Sequence, residues 1–126
     1  MVTNRQTEGF RLVVRALVLI AGAPEGIASS ERLAEQLGAH PVVLRRLLGP
    51  LRATGLIEAR SGPGGGWAIG RDPAEIPLGS LYREIAGNAK ARGRSTLDRA
   101  LAKAASAYLA ELDRWTLADL SRELNS

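Results

Sequence analysis

The chain has 126 residues, a net charge of +4, 45% hydrophobic residues and no cysteine. That length suits a single domain, able to bury a core yet small enough to gain from an oligomer. The absence of cysteine excludes disulfides, thiol redox chemistry and metals or clusters held by thiolates.

Residues 7–22 read as a long helix. Phe10, Val13, Val14, Leu17, Val18, Ile20 and Ala21 cover more than one face, so the helix is expected to be buried on most sides. Arg11 and Arg15, one turn apart, mark its polar stripe. The apolar run 13–23 is interrupted by Arg15 and too short to span a bilayer. The first five residues lack the apolar core and cleavage site of a signal peptide, so a cytoplasmic protein with no membrane partner is expected. Ala23-Pro24-Glu25-Gly26 ends the helix with turn chemistry.

The stretch 29–71 organises the chain. Ser29 precedes two helical turns, 31–37, with Leu33 and Leu37 on one face and Gly38 as a stop. His40 leads into Pro41, a residue suited to the first helical position. Val43, Leu44, Leu47, Leu48 and Leu51 then repeat at helical spacing, with Arg45, Arg46 and Arg52 off that stripe. Two short helices joined this tightly make a helix-turn-helix. Gly49-Pro50 interrupts the second one. Pro50 cannot donate to the carbonyl of Arg46, so the helix either kinks there or ends near Leu48; the kink is favoured, because the pattern resumes until Thr54-Gly55.

Residues 56–60 and 67–71 read as two strands around Ser61-Gly62-Pro63-Gly64-Gly65-Gly66. A hairpin in this place is the wing of a winged helix. Glycine-rich loops also cradle nucleotide phosphates, but the Walker spacing needs a terminal Gly-Lys-Ser/Thr, and the dinucleotide spacing needs a following helix. Neither is present. The glycines are read as allowing a tight turn and close approach to a DNA backbone.

Residues 72–77, with two prolines, read as an extended linker. Residues 78–87 form a short helix with Leu81, Tyr82 and Ile85 facing inward. Residues 88–94 have no apolar period and read as a basic loop. From Ser95 or Thr96 onward, Leu97, Ala100, Leu101, Ala104, Ala105, Tyr108, Leu109, Leu112 and Trp115 form one apolar stripe over about five turns. A stripe this long, away from the N-terminal core, suits a partner helix, although packing on its own domain is the plainer alternative. Thr116-Leu117-Ala118-Asp119 resembles a capping box that opens a last short helix to Leu124.

Charge follows the same division. Residues 1–71 carry nine Lys and Arg against five Asp and Glu, and residues 72–126 carry eight of each. The surplus lies with the helix-turn-helix, as in a DNA reader, though surplus arginines also serve solubility.

Several stretches resemble the Rrf2 family of bacterial winged-helix transcription regulators. These are His-Pro-Val-Val-Leu-Arg-Arg-Leu-Leu (40–48), Leu-Arg-Ala-Thr-Gly-Leu-Ile (51–57) and Gly-Pro-Gly-Gly-Gly-Trp (62–67). The stretches 15–21, 71–78 and 115–120 resemble its first helix, linker and last helix. The resemblance implies a mainly α (α+β) fold, with a winged helix-turn-helix DNA-binding domain at 1–77 and a helical dimerisation region at 78–126. It implies base and phosphate contacts from His40, Pro41, Val42, Val43, Arg45 and Arg46. Wing contacts fall on Arg60, Ser61, Gly62, Gly64, Gly65 and Gly66, and Ser29 can meet a phosphate as well as cap its helix. It implies a homodimer through Leu97, Leu101, Ala104, Ala105, Tyr108, Leu109, Leu112 and Trp115. Cluster-binding relatives carry three cysteines in the region of 88–94; here there are none, the loop looks shortened, and no cofactor or metal is expected. Some relatives also carry an arginine at the position of Ser61 and a glutamate at that of Arg45.

No catalytic constellation is visible. His40 is the only histidine, and Glu31 with Glu35 reads as a solvated helix face. The leading reading is a homodimeric regulator, a repressor by resemblance, that binds double-stranded DNA at an inverted-repeat operator, with helix 41–54 in the major groove. The alternatives are a winged helix used for protein–protein contact and an enzyme using the glycine loop. The space between Tyr82, the long helix and Trp115 is a candidate pocket for a small-molecule effector, although such aromatics more often serve as core.

Overall fold

The structure is a computed structural model that describes residues 4–86 and 93–124. Helix α1, Asn4–Ala21, is the central beam. Val13, Ala16, Leu17 and Ile20 are sealed from solvent, and Arg11 and Arg15 stay outside. Ala21 ends the helix exposed rather than joining the core.

Helix α2, Ser30–Leu37, starts at Ser29, whose side chain accepts from the Arg32 backbone N–H, and stops at Gly38 in the left-handed conformation. Helix α3, Pro41–Leu48, buries Leu44 and Leu48. Val43, counted by its spacing with the buried stripe, instead points outward. The expected kink within a helix to residue 54 is corrected. The α-helix ends at Leu48 and tightens into a 3-10 turn, Gly49–Arg52, that keeps Leu51 buried. Pro50 has no N–H for the carbonyl of Arg46, so the α ladder cannot continue while the chain still curls.

The wing strands are β2, Ile57–Arg60, and β3, Gly66–Ile69. A third strand, β1, Ile27–Ala28, completes an antiparallel sheet of order β1-β3-β2. Ala28 lies opposite Trp67, and Arg60 opposite Gly66. Gly66 has φ +150°, and a Cβ there would sit 2.6 Å from the Ala28 carbonyl oxygen. A Cβ on Gly65 would sit 2.2 Å from the carbonyl oxygen of Arg60. The close approach expected for these two glycines is therefore made within the chain itself.

The stretch read as an extended linker is stitched into the body. Asp72 caps a 3-10 turn, Pro73–Glu75, and Ile76 is fully buried. Leu78 N–H donates to the Trp115 carbonyl at 2.8 Å, and Leu117 N–H to the Ile76 carbonyl at 2.9 Å. Helix α4, Leu78–Ala86, follows, and the basic loop expected at 88–94 falls, up to residue 92, outside the described residues. Helix α5, Thr96–Leu112, opens with a capping box between Ser95 and Asp98. It stops short of Trp115, which sits in the following turn. Helix α6, Leu117–Leu124, packs on α1. It has its own capping box: Thr116 N–H donates to Asp119 at 2.8 Å, and Asp119 N–H to the Thr116 hydroxyl at 3.3 Å. The Thr116 backbone N–H holds the Asp119 carboxyl below the usual carboxylate range.

One buried cluster runs from Phe10 through Leu44 and Trp67 to Leu81, Leu109 and Leu117, so residues 1–77 and 78–126 share a core. Tyr82 on α4 fixes the join, meeting Phe10 edge-on at 5.3 Å and Tyr108 at 5.4 Å. Burial pushes the Tyr82 phenol up, and the Tyr108 phenol adds to the shift.

Candidate nucleic-acid interface

The orientation of α3 follows from what it buries. Leu44 and Leu48 are fully buried, so the opposite side of the first two turns faces solvent. His40, Val42, Val43, Arg45 and Arg46 are exposed, and Pro41 is half-buried. The His40 ring caps the helix: its Nδ1 accepts from the Val42 N–H at 3.2 Å. An accepting Nδ1 places the proton of a neutral imidazole on Nε2, where it remains free to donate.

Two short helices bring several of these groups together. Arg45 Nη1 donates to Glu31 Oε1 on α2 at 3.3 Å, across two exposed side chains. Arg46 has no ion-pair partner among the described residues. Neither has Arg32, which is exposed beside Ser29 at the start of α2. Sequence reasoning assigns no contact to Arg32. Its only signal there is its place two residues into a capped helix, where a phosphate contact is geometrically natural. Ser29 caps α2 through its oxygen, which leaves its hydroxyl hydrogen free.

The wing is held to this motif by one buried bond. Trp67 Nε1 donates to Ser30 Oγ at 2.8 Å, joining β3 to the first turn of α2. Arg60, Ser61, Gly62 and Gly64 are exposed at the wing, while Gly65 and Gly66 are half-buried. Arg60 leans on Glu58 at 3.8 Å. Exposed pairs of this kind contribute about 0–1 kcal/mol, so neither Arg45 nor Arg60 is locked away from an incoming phosphate.

The long apolar stripe divides. Leu109 is 4% exposed within the chain's own core, and Leu112 packs against that core. Leu109 is therefore corrected from a partner contact to an internal one. Gly79 explains the choice of face: a Cβ there would sit 2.6 Å from the Leu109 carbonyl oxygen, so α4 presses on that side of α5. Arg83 clamps the same join, with two bonds to Asp113 at 3.0 and 3.3 Å. Ala105 is half-buried, while Leu97, Leu101, Ala104, Tyr108 and Trp115 remain exposed. Beside Tyr82, where a pocket is expected, the rings of Phe10 and Tyr108 pack at 5.3 and 5.4 Å. A cleft of about 250 Å³ lies instead among Phe10, Arg11, Val14, Arg15, Leu78 and Leu120.

Against known families, residues 6–123 match the profile of Rrf2, described as an iron-dependent transcriptional regulator. The chain belongs to the Rrf2 family. Its winged helix-turn-helix is the fold of Rrf2 regulators such as T. potens IscR. That structure is 25% identical, with a TM-score of 0.74 covering 98% of this chain and 88% of that one. Staphylococcus aureus CymR is 26% identical, with a TM-score of 0.70 over 94% of this chain and 96% of that one. The B. subtilis global cysteine regulator CymR, at 24% identity and a TM-score of 0.75, covers 98% and 97% and supports the fold. This Rrf2 member is a transcription regulator with a DNA-binding fold.

The iron of the family description does not fit the residues present. There is no cysteine in the chain, and among the described residues no three His, Cys, Asp or Glu side chains are grouped to hold a metal. No helix among the described residues is long and apolar enough to cross a membrane.

Proposed function

We propose that this Rrf2 protein is a cytoplasmic homodimer that binds an inverted-repeat operator in double-stranded DNA and represses transcription there. The observation that carries the reading is the exposed N-terminal end of α3, with two arginines on a helix anchored from behind by Leu44 and Leu48. A helix held this way enters a major groove with its first turns at the base edges. Ser29, Arg32 and His40 are placed for backbone phosphates. The wing, with Arg60, Ser61, Gly62, Gly64, Gly65 and Gly66, lies on the adjacent backbone or minor groove. No catalytic role is assigned to any residue.

The outward face of α5 supports the dimer. Leu97, Leu101, Ala104 and Tyr108 follow at steps of 4, 3 and 4, the spacing of a helix–helix seam. Ala104 lets a second helix approach closely. A two-fold dimer presents its recognition helices to half-sites about one helical turn apart, or a multiple of it. An effector, if the operator is released by one, has room in the cleft between α1 and α6 rather than beside Tyr82. The sign of regulation comes from the family resemblance.

The test is selection of bound sequences from random DNA, then titration of the selected and a scrambled duplex at several salt concentrations. A preference for the selected duplex and an affinity that falls steeply with salt are expected. Binding without preference or salt dependence leaves the protein–protein reading of the winged helix in its place.

A further inference from the structure

Val42 and Val43 are 44% and 41% exposed, side by side in the first turn of α3. No other described residue covers them, although α3 has a buried side in which two valines would be welcome. Leu44 and Leu48 occupy that side and fix the helix rotation, so the valines cannot turn inward without expelling a leucine. Their exposure is therefore built in by the fold.

Two β-branched side chains offer no hydrogen bond. Their methyl groups are held in a single rotamer on a helix, so little entropy is lost when they are packed. In the major groove the one apolar feature of a base edge is the C5-methyl group of thymine, and a small apolar side chain is its natural contact. Resting on the reading of α3 as the recognition helix, we infer that Val42 and Val43 form a C5-methyl reader. They select thymine at the positions they face, and accept 5-methylcytosine there in preference to cytosine.

The neighbouring residues make the reader specific. Arg46 lies four residues beyond Val42, about 5–6 Å along the same face. Successive bases on one strand are about 3.4 Å apart. The thymine met by Val42 and the guanine suited to Arg46 thus fall within two base steps of each other. His40 Nδ1 is occupied as a cap, which leaves only its Nε2 to donate beside the valines.

The experiment replaces each thymine of the selected operator in turn with deoxyuridine, which removes only the C5-methyl group. Burial of one methyl group corresponds to about fourfold in affinity. One or two positions per half-site should lose about that factor, and cytosine to 5-methylcytosine at a cytosine placed there should restore it. V42A with V43A should bind thymine and deoxyuridine duplexes equally, at the level of the wild type on deoxyuridine. Both valines are exposed, so the variant keeps its fold, which circular dichroism checks.

If the wild type prefers its operator over scrambled DNA yet is indifferent to every deoxyuridine replacement, the methyl reader is wrong while the DNA-binding reading stands. A thymine preference that persists in the double variant overturns the methyl reader in the same way. If operator and scrambled duplexes are bound alike, both fall together.

Discussion

Trp67 donates its indole N–H to Ser30 Oγ at 2.8 Å, and both residues are buried. This single bond joins the wing to the helix-turn-helix. Backbone pairing with the two-residue strand β1, the return of Arg71 to the Thr54 carbonyl and the burial of Ile57 and Trp67 in the core also tie the wing to the body.

Ser30→Ala leaves the indole N–H buried and unpaired, at a cost of about 1–3 kcal/mol in unfolding free energy. Adding Trp67→Phe removes the orphaned donor, and the double variant should cost less than the sum of the two single changes. Urea denaturation of the four proteins of this cycle checks it. Additive costs would show that the bond contributes nothing of its own.

Local patterns are readable in the sequence, and long-range ones are not. The caps at Ser29, Ser95 and Thr116 declare themselves because cap and partner lie three residues apart. Strand β1 has two residues and therefore no period to detect. The Ser30–Trp67 bond spans 37 positions, and neither residue type announces a partner. The stripe on α5 is legible as a helix. Which of its leucines turn inward is not, because that is decided by Gly79 on another helix. At the interface the arginines of α3 are legible as polar breaks in an apolar pattern, while the Glu31 partner of Arg45 requires the angle between two helices.

Leu97→Glu with Leu101→Glu should convert the protein to a monomer with unchanged helical content, since Leu97 is 67% exposed and Leu101 43%. Specific DNA binding should weaken sharply, because the two half-sites are then no longer linked. Leu109→Glu should instead unfold the chain, because it buries a charge in the core. Light scattering and circular dichroism separate these outcomes. A folded dimer carrying both glutamates would show that the face pairs with nothing.

Purified without oxygen, the protein should be colourless and should bind its operator equally well before and after treatment with a chelator. The reason lies in the ligands: a chain with no cysteine offers no thiolate to iron. A visible charge-transfer band with stoichiometric iron would overturn this.

The Asp119 carboxyl, held by the Thr116 N–H, is depressed in the folded state. Its contribution is present above the ordinary aspartate pKa and is lost as pH falls through that range towards the folded value. Acid should therefore loosen α6, and its docking on α1, before the rest of the chain. Asp119→Asn, with no carboxylate to titrate, should show a flatter acid limb. Amide exchange along residues 117–122 across the acid range below neutrality measures it, and identical limbs would remove Asp119 from the account.

Arg45 and Arg46 stand side by side on α3 and differ in one respect. Arg45 is held at 3.3 Å by Glu31, with 49% and 71% of the two side chains exposed, whereas Arg46 has no partner among the described residues. Arg46 shares a helix face with Val42, the face proposed to meet the groove. A bidentate arginine–guanine contact discriminates by about 1–3 kcal/mol, whereas a phosphate contact adds affinity without preference. Arg46→Ala should therefore cost most on the selected operator and relax one position in each half-site. Arg45→Ala should cost less, since part of its binding is offset by release from Glu31. Glu31→Gln should tighten binding to every duplex, by freeing Arg45 and removing a charge that repels phosphate. Arg60→Ala should weaken all sequences alike and shrink the salt slope by about one unit. Titrations of the four variants against operator and scrambled DNA at several salt concentrations give the order. If Arg45→Ala costs specificity while Arg46→Ala is neutral, the ion pair with Glu31 has the opposite role: it aims Arg45 at the bases instead of holding it back.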